Sequence, residues 1–303
     1  MSFDEWLAFL RELSRLSGSL DFFDFDAPSL DGLLFNIDGY EASESRLPWM
    51  SWSDWGWRAV IASISDVLAS GGRPVAVLYS VGGPSKDVVL EVVRGVSEAC
   101  RWAGVRVLKA DTNRSSHDTW IDVVVIGVTM RAISRAGGRP GDLLVQVGPI
   151  GYGLVAEMAL RGVVRIDDYP RSLEFTRRPR VDLGIGLRLS ECGVRAAIDN
   201  SDGWAVTLYQ LSKASGVKLV VDKLLVVEEA LRLLDKLGLG ELELFRSWED
   251  YNIAAVIPED RVECLLSYCR SSNIQCDVVG RVEAGEGVYF KGKPVEPRGW
   301  TWF

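Results

Sequence analysis

The residues of this sequence best suited to chemistry are aspartates placed at the ends of apolar runs. Val105 to Ala110 leads into Asp111-Thr112-Asn113-Arg114, and Val194 to Ile198 leads into Asp199-Asn200-Ser201-Asp202-Gly203. Ligands of α/β sheets sit beyond the carboxyl ends of strands, so short polar side chains there are placed to face one. Asp38 follows the apolar Leu33 to Ile37, and Asp66 falls on a helix face otherwise built of Ala59, Ala62, Ser63 and Ala69, which leaves room for close approach. Segments this far apart can converge on one acidic site. Like charges a few ångströms apart repel strongly where water is scarce, so such a cluster calls for cations. Hard oxygen ligands suit Mg²⁺, which in turn favours phosphates as its remaining ligands. Taken singly, each aspartate reads more simply as a helix cap or a turn residue.

Other chemistries are thinly supplied. Gly148-Pro149-Ile150-Gly151-Tyr152-Gly153 follows a strand and opens a helix, so Gly148 and its neighbours could cradle a phosphate, although a tight turn explains them equally well. Gly287 to Lys293 imitates a phosphate loop, but Pro294 stands where the metal-binding Ser or Thr belongs, and the segment reads as a hairpin. Trp300 and Trp302 could stack on a flat ligand. The single histidine, His117, sits in a polar loop and rules out a two-histidine metal site within one chain. Cys100, Cys192, Cys264, Cys269 and Cys276 are odd in number and lack C-x-x-C spacing, so the expectation is buried structural cysteines, with neither a zinc knuckle nor a disulfide framework.

The 303 residues are 48% hydrophobic and 25% charged with a formal net charge of −8. That composition excludes disorder, collagen and a small disulfide scaffold. The acidic balance argues against nucleic acid as a partner. No apolar run approaches the ~18–20 residues of a membrane helix, and the N-terminus has no basic stretch followed by an apolar core. A soluble, cytoplasmic protein without a membrane partner is expected.

Periodicity supplies the elements that must position the aspartates. Phe3, Trp6, Leu7, Leu10, Leu13 and Leu16 predict an amphipathic helix. Trp57, Val60, Ile61, Ile64, Val67 and Leu68 predict a second, stopped by Gly71-Gly72 and Pro74. A strand (Val75 to Val81), a helix (Ser85 to Gly104), a strand (Val105 to Leu108) and a β run (Trp120 to Met130) follow. Ser134 to Asp142 marks a boundary. Beyond it, strands at 143–147, 194–198, 217–221, 251–257 and 276–282 alternate with helices. The fold class is mixed α/β in two domains, 1–133 and 134–303.

At these residues the chain resembles the thiamine-monophosphate kinases, a family within the superfamily of aminoimidazole ribonucleotide synthetase. Trp57 to Pro74 is similar to the family's signature helix with its Ser-Asp and Gly-x-x-Pro ending. Asp111-Thr-Asn-Arg114 resembles G-G-D-T-T-R, Arg135 to Asp142 resembles R-S-G-A-x-P-G-D, Ile198 to Gly203 resembles I-D-x-S-D-G, and Glu249-Asp-Tyr251 resembles G-G-E-D-Y. The family's early G-D-D-A-A/P motif is replaced by Phe23-Asp24-Phe25-Asp26-Ala27-Pro28, which leaves open whether Asp24 or Asp26 is the ligand. The resemblance implies a β-rich N-terminal half that forms a barrel across a homodimer, a C-terminal α/β half, and ATP bound between them. It implies direct transfer of the γ-phosphoryl group of ATP to thiamine monophosphate, with no phosphoenzyme. It further implies Mg²⁺ held by Asp24 or Asp26 with Asp38, Asp66, Asp111 and Asp202, phosphates met by Thr112, Arg114 and Ser201, and the acceptor near Asp250, Tyr251 and Trp300. Lys109-Ala110 and Ser247-Trp248 stand where the family has paired glycines. Another ATP-dependent enzyme of the superfamily, or a non-catalytic nucleotide-binding homologue, remains the alternative.

Overall fold

The structure, a computed structural model, describes residues 3–18 and 24–299. The N-terminal half comprises α1 (Phe3–Ser17), β1 (Ser29–Leu30), β2 (Leu33–Glu41), α2 (Ala42–Ser45), α3 (Trp52–Ala69), β3 (Arg73–Gly83), α4 (Lys86–Ala103), β4 (Arg106–Arg114) and β5 (Trp120–Val128). Its sheet runs β1-β2-β5-β3-β4. Only β3 and β4 pair in parallel, and α4 makes the crossover between them. α3 starts at a capping box in which Ser51 and Asp54 satisfy each other's amides. It then packs against α4 so closely that a Cβ on Gly95 would fall 1.8 Å from the Ser53 carbonyl oxygen, which is why that position carries glycine.

One face of this sheet lies under α3 and α4. The other is apolar and open, with Leu33, Phe35 and Ile37 alternating along β2 and Ile37 68% exposed. Val107 and Leu108 of β4 are exposed as well. Among the described residues the sheet does not close, so no barrel forms within the single chain. β4 also departs from expectation. The predicted strand ended at Leu108, whereas pairing with the long β3 carries it on through Arg114, in register Ser80↔Asp111 and Gly83↔Arg114.

The C-terminal half comprises β6 (Leu143–Val147), α5 (Tyr152–Leu160), α6 (Pro170–Arg177), α7 (Ile185–Glu191), β7 (Ala196–Asp199), α8 (Trp204–Ser215), β8 (Lys218–Val221), α9 (Glu228–Leu237), β9 (Ile253–Ile257), α10 (Val262–Ser271), β10 (Cys276–Glu283), β11 (Gly287–Phe290) and β12 (Lys293–Pro294). The sheet order is β12-β11-β8-β10-β6-β9-β7. Strands with both faces covered read as continuous apolar runs, and all five residues of β9 are buried. Ile253, Ala255 and Ile257 enter a core shared with α3, while Ala254 and Val256 enter a second core under α5 and α8. α3 is therefore wedged between the two halves, with Asp66 at their junction.

The expectation for the cysteines is corrected. Cys192 is bonded to Cys264 and Cys269 to Cys276, while Cys100 is a buried free thiol. The first bridge joins the end of α7 to α10 across 72 residues, a proximity that only tertiary packing creates and that local spacing does not reveal. His117 is exposed in its loop, and Gly287 to Pro294 forms a hairpin, both as expected.

Candidate active site

Strand alternation puts Leu34, Asn36, Asp38 and Tyr40 on the face of β2 that meets α3. The Asn36 amide nitrogen donates to Asp66 Oδ2 at 2.7 Å, to Asp38 Oδ2 at 2.8 Å and more weakly to the Ser63 carbonyl. Asp26 approaches from the segment before β1 and pairs with Arg135, whose Nε lies 2.8 Å from Oδ1. Asp199, the last residue of β7, accepts from the Ser65 hydroxyl one residue before Asp66 on α3. One carboxylate oxygen from each of Asp26, Asp66 and Asp199 lies within 4.8 Å of the others. Ser201 and Asp202 border the same cavity just beyond β7.

Burial makes this concentration of charge costly. It pushes the Asp66 carboxyl well up, helped by Asp38, Asp199 and Asp26. Burial likewise raises Asp199 well above the usual range, with Asp26 adding to the effect and Ser65 and Arg135 opposing it. Asp202 is pushed up to about 7 by burial, with Arg135 opposing and Asp38 and Asp26 reinforcing. Asp26 is raised too, because its desolvation outweighs Arg135. Asp26 Oδ2 is buried with no hydrogen-bond partner among the described residues. Three carboxylates converging within 4.8 Å of one another, one of them with an unpaired buried oxygen, are the donor set a hard divalent cation requires, so these residues fit Mg²⁺.

The cavity in front of the cluster measures about 1120 Å³ and lies between the halves. At one end Arg58 of α3 pairs with Glu249, donates to the Ser45 carbonyl at 2.6 Å, lies 5.9 Å from the Trp248 ring and reaches the Tyr251 hydroxyl at 3.4 Å. Glu249 and Tyr251 both have positive φ, 49° and 50°. That uncommon backbone is held by Glu249 N–H donating to the Ser201 carbonyl and Tyr251 N–H to that of Asn200. It ties this end of the cavity to the loop carrying Asp202.

The predicted site residues divide accordingly. Asp26, Asp38, Asp66, Ser201, Asp202 and Tyr251 all line the cavity. Asp24 is exposed and contributes only its carbonyl, which accepts from Arg135 N–H. Asp111, Thr112 and Arg114 are exposed on β4. The row Asp38–Val123–Tyr79–Ala110 places them three strands from the cluster, about 14 Å. Gly148 forms a turn at φ +89°, and the helix that follows is already closed. Asp250 accepts from the amides of Gly151 at 2.9 Å and Gly153 at 3.0 Å, and Ser247 caps Leu154. Asp250 thus points into the protein and does not line the cavity, and burial lifts its carboxyl to about 6 against those hydrogen bonds. Trp300 lies outside the described residues. Asn36, Arg135, Asp199, Arg58, Trp248 and Glu249 join the site without having been assigned to it. Of these, Asp199 had the clearest signal, as the first residue beyond the predicted strand 194–198.

Comparison with known proteins places this geometry. Residues 25–129 match the AIR synthase related protein N-terminal domain and residues 139–293 its C-terminal domain. The chain belongs to the AIR synthase related family. Within it, the chain falls with the thiamine-monophosphate kinases. It is 34% identical to the one from Pyrobaculum calidifontis over 298 residues, 96% of this chain and 94% of that protein. It is 31% identical to the one from Pyrococcus abyssi over 257 residues, 82% of this chain and 77% of that protein. Among solved structures, AaThiL complexed with AMPPCP and TMP superposes with a TM-score of 0.85 at 27% identity, covering 100% of this chain and 99% of that one. Thiamine monophosphate kinase from Aquifex aeolicus gives 0.83 at 26% identity, covering 98% and 100%.

Proposed function

We propose that this chain catalyses the ATP- and Mg²⁺-dependent phosphorylation of thiamine monophosphate to thiamine diphosphate. The observation that carries the reading is the convergence of Asp26, Asp66 and Asp199 at the cavity between the halves, in a chain so similar to thiamine-monophosphate kinases along its length. Mg²⁺ held by these carboxylates, with Asp38 and Asp202 beside them, would neutralise the charge of the phosphates during transfer. Asn36 fixes the separation of Asp38 and Asp66. Arg135 restrains Asp26 and, being forked, is suited to a phosphate oxygen as well. Trp248 and Tyr251 offer aromatic faces to the acceptor's cationic ring. No side chain needs to act as a nucleophile, because the acceptor is itself a phosphate and the work is positioning.

A division at residue 134 follows the gap between the two matched regions. The open apolar face of Leu33, Phe35 and Ile37 is suited to a second copy of the chain. A homodimer closed into a barrel on that face would cover β4 and give Asp111, Thr112 and Arg114 a route to a site. No helix among the described residues is long and apolar enough to cross a membrane; a cytoplasmic location belongs to this proposal and rests on the likeness to thiamine-monophosphate kinases.

The test is product formation from purified protein, Mg-ATP and thiamine monophosphate, with thiamine diphosphate read as its fluorescent thiochrome derivative. Equal amounts of thiamine diphosphate and ADP are expected. Tight Mg-ATP binding with no thiamine diphosphate would overturn the assignment.

A further inference from the structure

Between the acidic cluster and the aromatic end of the cavity stands a side chain with no role so far. Tyr40 of β2 lines the cavity from the strand face that meets α3, opposite the open apolar face of Phe35 and Ile37. Its ring packs against the core that α3 shares with both halves. Its hydroxyl has no hydrogen-bond partner among the described residues, and its oxygen is accessible, unlike the sealed Asp26 Oδ2. Tyr251, the other tyrosine lining the cavity, is already engaged by Arg58. Phenylalanine would pack its ring at position 40 equally well, so what the phenol adds is a polar group turned to the cavity.

The position of that group fits one part of the acceptor. Strand alternation puts Tyr40 on the same face as Asp38, about 7 Å further along β2. The hydroxyl feels the charges of both ends of the cavity, Asp38 and Asp66 from the cluster and Arg58 and Tyr251 from the aromatic end. An acceptor whose cationic ring rests on Trp248 and Tyr251 has to extend its phosphate toward the cluster, because transfer needs the attacking oxygen in line with the γ-phosphoryl group. Tyr40 stands on that path. A phenol keeps its proton at neutral pH and can donate it to a phosphate oxygen without bringing a further charge to the site.

We propose that Tyr40 is a specificity-determining residue whose hydroxyl donates a hydrogen bond to the phosphate of the acceptor, so that the cavity takes thiamine monophosphate in preference to thiamine. The proposal rests on the kinase reading and adds one contact to it.

The experiment compares wild type with Tyr40→Phe, which removes the oxygen and keeps the ring. Calorimetric binding of thiamine monophosphate and of thiamine, which lacks the phosphate, is measured at saturating Mg²⁺, together with kcat/KM and the KM for ATP. Affinity and kcat/KM for thiamine monophosphate are expected to fall by on the order of 10-fold or more in the variant, as for a lost hydrogen bond to a charged group. Affinity for thiamine, the KM for ATP and the Tm should stay at their wild-type values. Wild-type affinity for thiamine monophosphate in the variant would overturn the proposal. An equal loss for both ligands would overturn it as well, since a contact to the ring or a packing defect weakens both. Absence of thiamine diphosphate in wild type would instead overturn the kinase reading. In that event the binding measurements still decide Tyr40, and a wild type that binds thiamine as tightly as thiamine monophosphate overturns its role.

Discussion

The side-chain amide of Asn36 is shared between two carboxylates, lying 2.7 Å from Asp66 and 2.8 Å from Asp38. An uncharged donor between two acids holds them at a separation that a third charge would disrupt and an apolar group would not maintain. Partners that orient metal ligands typically carry a 10–100-fold effect on affinity or activity. Asn36→Leu is therefore expected to raise the Mg²⁺ concentration needed for half-maximal activity by a factor in that range while the protein stays folded. A titration with the wild-type midpoint would show that Asn36 does not organise the cluster.

The acidic site links stability to pH and metal. Burial raises Asp26, Asp66, Asp199 and Asp202, the last to about 7. A carboxyl whose folded value exceeds its unfolded value of about 4 adds stability below that pH and loses it as pH rises through the folded value. Through Asp202 alone the metal-free protein should lose stability between roughly pH 4 and 7, and the other three raised acids act in the same direction. Mg²⁺ binds the ionised form, so the rise in Tm on adding it is expected to be larger at pH 8 than at pH 5. The same rise at both would contradict the cluster as the metal site.

Asp250 tests the division between structural and substrate-binding acids. Its carboxylate satisfies the amides of Gly151 and Gly153 and the Ser247 hydroxyl. Asp250→Ala should cost about 2–3 kcal/mol in denaturant unfolding, because buried donors lose a charged partner, with an unchanged KM for thiamine monophosphate. A stable variant with a greatly raised KM would return Asp250 to the acceptor site.

Two bridges and one buried thiol leave one titratable cysteine per chain. Thiol counting on unfolded, unreduced protein should give one, rising to five after reduction. Closing the 72-residue separation is worth about 4 kcal/mol in the chain-entropy account, so reduction should lower the Tm. Five thiols without reductant would contradict the bridges.

The sequence was most legible where local pattern decides structure. The apolar stripe of α3, its stop at Gly71 and the buried strands of the C-terminal half all follow from periodicity, and the small face around Asp66 identified it as an approachable acid. Long-range contacts decided the rest. Asp24 and Asp26 sit in the same short segment, and only the pairing with Arg135 shows which one is buried. Asp199 and Asp202 share a loop, and the packing of α3 against β7 brings the former to Ser65. Asp250 lies between two cavity-facing residues, and the positive φ angles on either side turn it inward. β4 runs past its predicted end because β3 supplies a partner that composition cannot reveal.

The central claim is that the carboxylates around Asp66 support direct transfer from ATP to thiamine monophosphate. A single-turnover chase of γ-labelled ATP, with wild type and Asp66→Asn at saturating Mg²⁺, tests it most directly. The label is expected to pass into thiamine diphosphate without appearing on the protein, at a rate on the order of 10³-fold lower in the variant. Equal rates in the two proteins, or label retained on the chain, would contradict the account.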